Sequence, residues 1–254
     1  MWNPITTRVT QFDYFDRLLD RPAWKGRRVL DFGGNVGGFL VGAGDNVDHE
    51  DYVCLDINRT VIEQGRLAHP RARFVHFDRY SSQYNPAGVR NLPVPDCGSV
   101  FDVILAFSVF THIDWSEMAE LVGQLRAMLA PRGVLAFTFC DPSYDRSLSN
   151  PTLPSSTDVW KNLVLQKAHS PGLSDAAIDE MVERASRSRW CVLIDDKLYV
   201  EPGIELCHQR RAGRAHESYC SYFTVDFVAS LFPDGKVLPP ASPEWQHCCI
   251  LGRD

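Results

Sequence analysis

The sequence predicts an α/β fold: a doubly wound, mostly parallel seven-stranded sheet with helices on both faces and a lid-like insertion after the fifth strand. Three observations predict it. Short apolar runs alternate with helical periodicity from residue 27 to residue 140, the rhythm breaks over residues 141–223, and strand–helix order resumes at Thr224. Strands alternating with helices imply right-handed crossovers and a parallel sheet covered on both faces.

The first five strands are read at Arg28–Phe32, Tyr52–Ile57, Arg73–Asp78, Phe101–Phe107 and Gly133–Cys140. Between the last two, Met118, Leu121, Val122, Leu125 and Leu129 fall on one face of a helix. Asp114, with Glu117 three positions on, caps its start, and Pro131-Arg132-Gly133 ends it. Ahead of the sheet, Val9, Phe12, Phe15 and Leu18 or Leu19 space as an amphipathic helix within a helical segment 1–26. Inside the insertion the chain reads as a loop over 141–157, then helices near 157–168 and 174–188. A hairpin of Cys191–Ile194 and Lys197–Val200 about Asp195-Asp196 follows, and then an exposed basic loop, His208 to His216. Thr224 is the expected N-cap of a helix over Val225–Phe232, and Gly235–Pro239 with Trp245–Leu251 supply the two closing strands. One domain over residues 1–254, carrying an inserted region 141–223, is therefore expected.

The composition is that of a globular chain, with 44% hydrophobic and 23% charged residues in 254. A net charge of −6 argues against a nucleic-acid-coating surface. No segment reaches the roughly 18–20 apolar residues of a membrane span, and the N-terminus does not look like a secretory signal. None of the eight cysteines forms a C-x-x-C pair and the histidines lack zinc spacing, so reduced structural thiols and a cytoplasmic setting are expected, with no metal.

Ligands of open parallel sheets bind at the carboxyl ends of the strands, and here those ends are polar. The first strand ends on Asp31 and runs into Gly33-Gly34-Asn35-Val36-Gly37-Gly38; the next two end on Asp56 and Asp78; the fourth leads through Phe107 and Ser108 to His112. A nicotinamide site would show a regular G-x-G-x-x-G and no acid so close to the pyrophosphate, which disfavours a dehydrogenase. The pattern resembles motif I of the class I S-adenosylmethionine-dependent methyltransferases of small-molecule type, with Asn35 in place of the second glycine. Asparagine tolerates the left-handed backbone better than most residues, so the turn is expected to survive. The resemblance covers residues 28–140 closely and 224–251 more loosely.

It implies S-adenosylmethionine as cofactor. Gly33, Gly34, Asn35 and Gly37 admit its methionine part and Asp31 balances its ammonium. Asp56, with Ile57 beside it, accepts from the ribose hydroxyls; Asp78 accepts from the adenine amino group; Phe107 and Ser108 line the space beside the sulfonium. His112 is the candidate base, the competing role being a structural one under the loop. Asp141 follows the fifth strand, and a single carboxylate beside Pro142 is poor support for magnesium. The (Asn/Asp)-Pro-Pro-(Tyr/Phe) motif of enzymes that methylate amide or adenine nitrogens is missing after the fourth strand.

Asp141 and Tyr144 open the insertion and are read as acceptor-side residues. The insertion is rich in further ring-bearing groups, Trp160, His169, Trp190, Tyr199, His208, His216, Tyr219 and Tyr222, while Arg210, Arg211 and Arg214 form a basic run. The expected function is methyl transfer to an oxygen, nitrogen or carbon of a small organic acceptor, free or carrier-bound, in secondary metabolism, without nucleic acid or membrane. The rivals are a non-methyl-transfer reaction such as cyclisation on the same scaffold, and a non-catalytic scaffold. The oligomeric state is not read from the sequence.

Overall fold

The computed structural model describes residues 10–144, 174–194, 197–211, 219–240 and 246–253. The main sheet is built from β1 (Val29–Phe32), β2 (Tyr52–Asp56), β3 (Arg73–His76), β4 (Phe101–Ala106), β5 (Leu129–Phe139), β9 (Lys236–Leu238) and β10 (His247–Gly252). Its order is β3-β2-β1-β4-β5-β10-β9. β1 to β5 pair in parallel, while β10 runs antiparallel to both β5 and β9. The seven strands are those expected, in a sheet that is mostly parallel as expected. The direction of winding changes between β1 and β4, and there the carboxyl ends of neighbouring strands open a crevice.

Helices α1 (Gln11–Leu18), α2 (Gly38–Ala43), α3 (Arg59–Ala68) and α4 (Trp115–Ala127) cover the sheet. Each start has a local cause. Thr10 and Asp13 form a reciprocal capping box on α1, Asn58 accepts from Thr60 N–H ahead of α3, and Asp114 accepts from Glu117 N–H ahead of α4. Phe12, Tyr14 and Phe15 of α1 pack with Phe39, Tyr52 and Phe74 on one face of the sheet; Met118, Leu121, Val122 and Leu125 of α4 pack on the other.

Between β5 and the final helix lie α5 (Asp175–Ser186), β6 (Trp190–Ile194), β7 (Lys197–Val200), α6 (Ile204–Arg211) and β8 (Tyr219–Phe223); α7 (Val225–Leu231) follows, capped by Thr224. The hairpin expected at β6–β7 is present, its turn at Asp195-Asp196 lying outside the described residues. β8 adds to β6 to give a separate antiparallel sheet, β7-β6-β8. Trp190, Val192, Ile194, Tyr219 and Phe223 of that sheet join the main core, while Cys191, Leu193, Cys220 and Tyr222 pack on the other side with Met181 and Ala185 of α5. Its strands are thus built into the body of the molecule.

Two expectations are corrected. Leu129 belongs to β5, pairing with Phe101, and not to α4; the helix stops at Ala127 because the chain must straighten to reach the sheet. His208–Arg211 form the last turn of α6 and not a loop. Arg214, His216, Trp160, His169 and the helix expected near 157–168 lie outside the described residues. All eight cysteines are buried thiols. Among the described residues no helix is long and apolar enough to cross a membrane.

Candidate functional site

The turn after β1 is shaped by what surrounds it. A Cβ on Gly34 would lie 2.5 Å from Cγ of Asp31, so only glycine lets the chain pass over that carboxylate. Gly33 has φ +76°, and a Cβ there would meet Cγ2 of Val109 at 2.3 Å. Asn35 takes the left-handed conformation, φ 54°, and Gly37, with φ 88°, begins α2. The Asn35 N–H donates to Oδ2 of Asp56 at 2.9 Å, which ties the turn to the end of β2.

Asp31 lies beneath this turn and is only 2% exposed. It accepts the Tyr52 hydroxyl at 2.6 Å. Burial pushes its carboxyl up to about 7, against the Tyr52 hydrogen bond and with help from the Asp56 charge. In an unfolded chain an aspartate titrates near about 3.9. Between these values the unfolded chain releases a proton that the folded one keeps. The stability Asp31 contributes is therefore complete below about pH 4 and is lost as pH rises toward 7, with a limiting slope of about 1.4 kcal/mol per pH unit. Asp31→Asn keeps an acceptor for Tyr52 and removes the titration. Urea midpoints measured from pH 4 to 8 should lose this fall in the variant; an unchanged slope would assign the titration to another group.

Asp56 is half-buried and holds a second backbone donor, Asn58 N–H, at 2.8 Å on Oδ1. Burial raises its carboxyl above the ordinary value, opposed by the Asn58 and Asn35 N–H groups. Each carboxylate oxygen accepts about two hydrogen bonds, so both retain capacity for a ligand. The Ile57 carbonyl accepts from Nε2 of His76 at 3.1 Å. Asp78, just past β3, accepts the Asn85 side-chain amide at 3.1 Å.

At the end of β4, Phe107 is edge-on to Tyr14 and Phe15 of α1, with ring centroids 5.4 and 6.1 Å away. Ser108 is left-handed, φ 59°, and is held by two residues that the sequence did not single out. Its N–H donates to Thr138 Oγ1 at 2.7 Å, its hydroxyl accepts from Gln246 Nε2 at 3.0 Å, and Thr138 donates to Gln246 Oε1 at 2.5 Å. A threonine and a glutamine among apolar strand residues at the carboxyl edge were the available signal.

His112 closes a short 3-10 turn, Phe110–His112. Its Nδ1 meets the Tyr219 carbonyl of β8 at 3.0 Å and its Nε2 meets the Tyr84 hydroxyl at 3.4 Å. Asp141 accepts Ser143 N–H and Oγ at 2.7 and 2.6 Å on one oxygen and Val225 N–H at 2.9 Å on the other, so it fastens the start of α7. Tyr144 stands edge-on to His247, 4.9 Å between centroids. His247 is 4% exposed and burial lowers its basicity.

A sheet of this order, with a glycine turn after its first strand and a carboxylate ending its second, has the class I, Rossmann-like fold of S-adenosylmethionine-dependent methyltransferases. The residues fit that cofactor: at the edge of the glycine-rich turn Asp56 accepts one N–H on each oxygen and keeps lone pairs for two hydroxyls. Residues 30–135 match the model of the methyltransferase domain family. The fold is that of a protein from Pyrococcus horikoshii OT3, with a TM-score of 0.52 at 14% identity over 98% of this chain and 97% of that one. It is also that of the glycopeptide N-methyltransferase MtfA complexed with S-adenosylmethionine, with a TM-score of 0.50 at 13% identity over 95% and 92%. Against the pyocyanin biosynthetic protein PhzM the match has a TM-score of 0.48 and 16% identity; it covers 95% of this chain but 54% of that one, about half its length.

Proposed function

We propose that this protein transfers a methyl group from S-adenosylmethionine to an oxygen, nitrogen or carbon atom of a small organic acceptor in secondary metabolism. The observation that carries the reading is Asp56: a half-buried carboxylate, pinned by the Asn35 and Asn58 N–H groups, at the edge of the turn. In this reading it receives both ribose hydroxyls with Ile57 beside them. Gly33, Gly34, Asn35 and Gly37 admit the methionine part. Asp31 acts through the turn that it underpins, since its own carboxylate faces Tyr52. Asp78 shares its carboxylate between Asn85 and the adenine amino group, and Phe107 and Ser108 wall the reacting end.

When bound, S-adenosylmethionine supplies an already activated methyl group. What remains for the protein is alignment, which is worth about 7–11 kcal/mol in well-oriented systems, exclusion of water, and removal of the acceptor's proton by His112. The strands of the inserted region form a fixed wall, and the entry of the insertion at Asp141 and Tyr144 faces the acceptor. A net charge of −6 fits a small acceptor, free or carrier-bound, better than a nucleic acid.

Calorimetric titration with S-adenosylmethionine, followed by mass analysis of products from a panel of phenols, alcohols and amines, tests this. Micromolar binding and a product heavier by one methylene unit are expected. A product of unchanged mass would indicate a reaction such as cyclisation, and no binding would sink the reading.

A further inference from the structure

We propose that Tyr84 is the residue that meets the acceptor's proton-bearing atom, and that His112 stands behind it as the base, locked in one tautomer by the carbonyl of Tyr219. This rests on the methyltransferase reading and names the residue of that site that does the proton transfer. A carbonyl oxygen only accepts, so the His112 nitrogen 3.0 Å from it, Nδ1, carries the hydrogen. The lone pair of the neutral ring is then on Nε2, and the partner there, 3.4 Å away, is the Tyr84 hydroxyl as donor. The Tyr84 ring stands edge-on to the imidazole at 90° and 5.0 Å, so the hydroxyl and the nitrogen meet at the rims of their rings. A long contact of this kind commonly tightens when a site fills.

His112 is half-buried and its Nε2 is already covered, whereas Tyr84 is 43% exposed. With the Tyr84 hydroxyl seated on Nε2, an acceptor approaching that nitrogen meets the tyrosine first. Burial pushes the Tyr84 phenol up to about 12, and the Asp56 charge acts on it in the same sense. It thus remains a protonated donor near the cofactor end of the site. The proton of an O–H or N–H acceptor passes to the Tyr84 oxygen as the proton of Tyr84 passes to Nε2. Tyr84 ends as it began, and His112 becomes an imidazolium whose Nδ1–H stays on the Tyr219 carbonyl. One proton has moved from acceptor to histidine. The carbonyl comes from β8, which gives the inserted region a part in setting the base as well as in forming a wall.

Two readouts test the relay. Long-range 1H–15N NMR of 15N-histidine-labelled protein reads the tautomer without any acceptor. The His112 signals, identified by their loss in His112→Gln, should show Nδ1–H, and Tyr84→Phe should shift the Nε2 resonance. With an acceptor taken from the product-mass panel, Tyr84→Phe should lower kcat about 100-fold, the low end for general acid–base groups. KM and the calorimetric affinity for S-adenosylmethionine should stay within about twofold of wild type, because only the proton transfer is removed. An Nε2–H tautomer overturns the relay, since Tyr84 then has no lone pair to donate to. A Tyr84→Phe enzyme with unchanged kcat, or with its loss wholly in KM, also overturns it. Absence of S-adenosylmethionine binding strikes the methyltransferase reading instead, and the titration reports that separately.

Discussion

Asp56→Ala is expected to weaken S-adenosylmethionine binding by about 100- to 1,000-fold. Hydrogen bonds to a charged partner contribute about 1.5–3 kcal/mol each. Two of them, one per ribose hydroxyl, give about 3–6 kcal/mol, and each 1.4 kcal/mol is a factor of ten, so the expected loss stands at the low end of that range. The substitution also frees the Asn35 and Asn58 N–H groups, which now meet Oδ2 and Oδ1 of Asp56, so the turn after β1 loses its tie to β2. The carboxylate itself is disfavoured by burial, so its removal should lower the melting temperature much less than it lowers affinity. Asp56→Asn retains the shape and one good acceptor and should fall between the two proteins. Calorimetry on all three decides the matter: if Asp56→Ala binds as wild type does, the cofactor is not held at this edge.

The strand ends were legible because the signal is local. An apolar run that closes on an acid or a glycine marks both the end of a strand and the place where backbone can meet a ligand. Asn35 shows how far that goes: its tolerance of positive φ is intrinsic, and it is observed at 54°. The partners of these residues were not legible, because pairing across the sheet sets them. Asp31 lies beside Cys54 in the register of β1 with β2, and that register brings the Tyr52 hydroxyl to its carboxylate. Nothing near Asp31 in the sequence announces a buried acid.

β8 was missed for a related reason. Tyr219–Phe223 is buried at every position, so it lacks the alternation that marks a half-exposed strand. The charged run in α6 read as a loop by composition, although His208–Arg211 complete a helix begun at Ile204. Leu129 fits the helical period of α4, yet Arg132 just beyond it has φ 67° within β5 and Leu129 itself pairs with Phe101; sheet pairing outweighed the period. The consequence for function is specific. The carbonyl that meets His112 belongs to the strand that carried no sequence signal, so the histidine was nameable from the sequence and the contact on its ring was not.

Arg79→Ala should cost about 3–5 kcal/mol of stability, the range for breaking a buried ion pair by removing one partner. Arg79 is 4% exposed and spends its whole guanidinium on protein. Nε donates to Glu117 at 2.9 Å, Nη2 to Glu120 at 2.8 Å, and Nη1 to Glu120 and the Leu92 carbonyl at 3.1 and 2.8 Å. Glu120 is 40% exposed and can turn to water, but Glu117 is 13% exposed and loses its cation. For a domain of this size the loss corresponds to a melting temperature lower by about 6–20 °C. The effect should extend to the site. Arg79 opens the loop between β3 and β4, whose Asn85 holds Asp78 and the Arg79 carbonyl and whose Tyr84 meets His112. Arg79→Lys keeps the charge without the planar fork and should lose less. Arg79→Leu combined with Glu117→Met replaces both members of the buried pair with apolar side chains, and should recover most of the melting temperature that Arg79→Ala loses. If Arg79→Ala melts within a degree or two of wild type, the pair does not fasten this loop to α4, and the placement of Tyr84 must rest on other contacts.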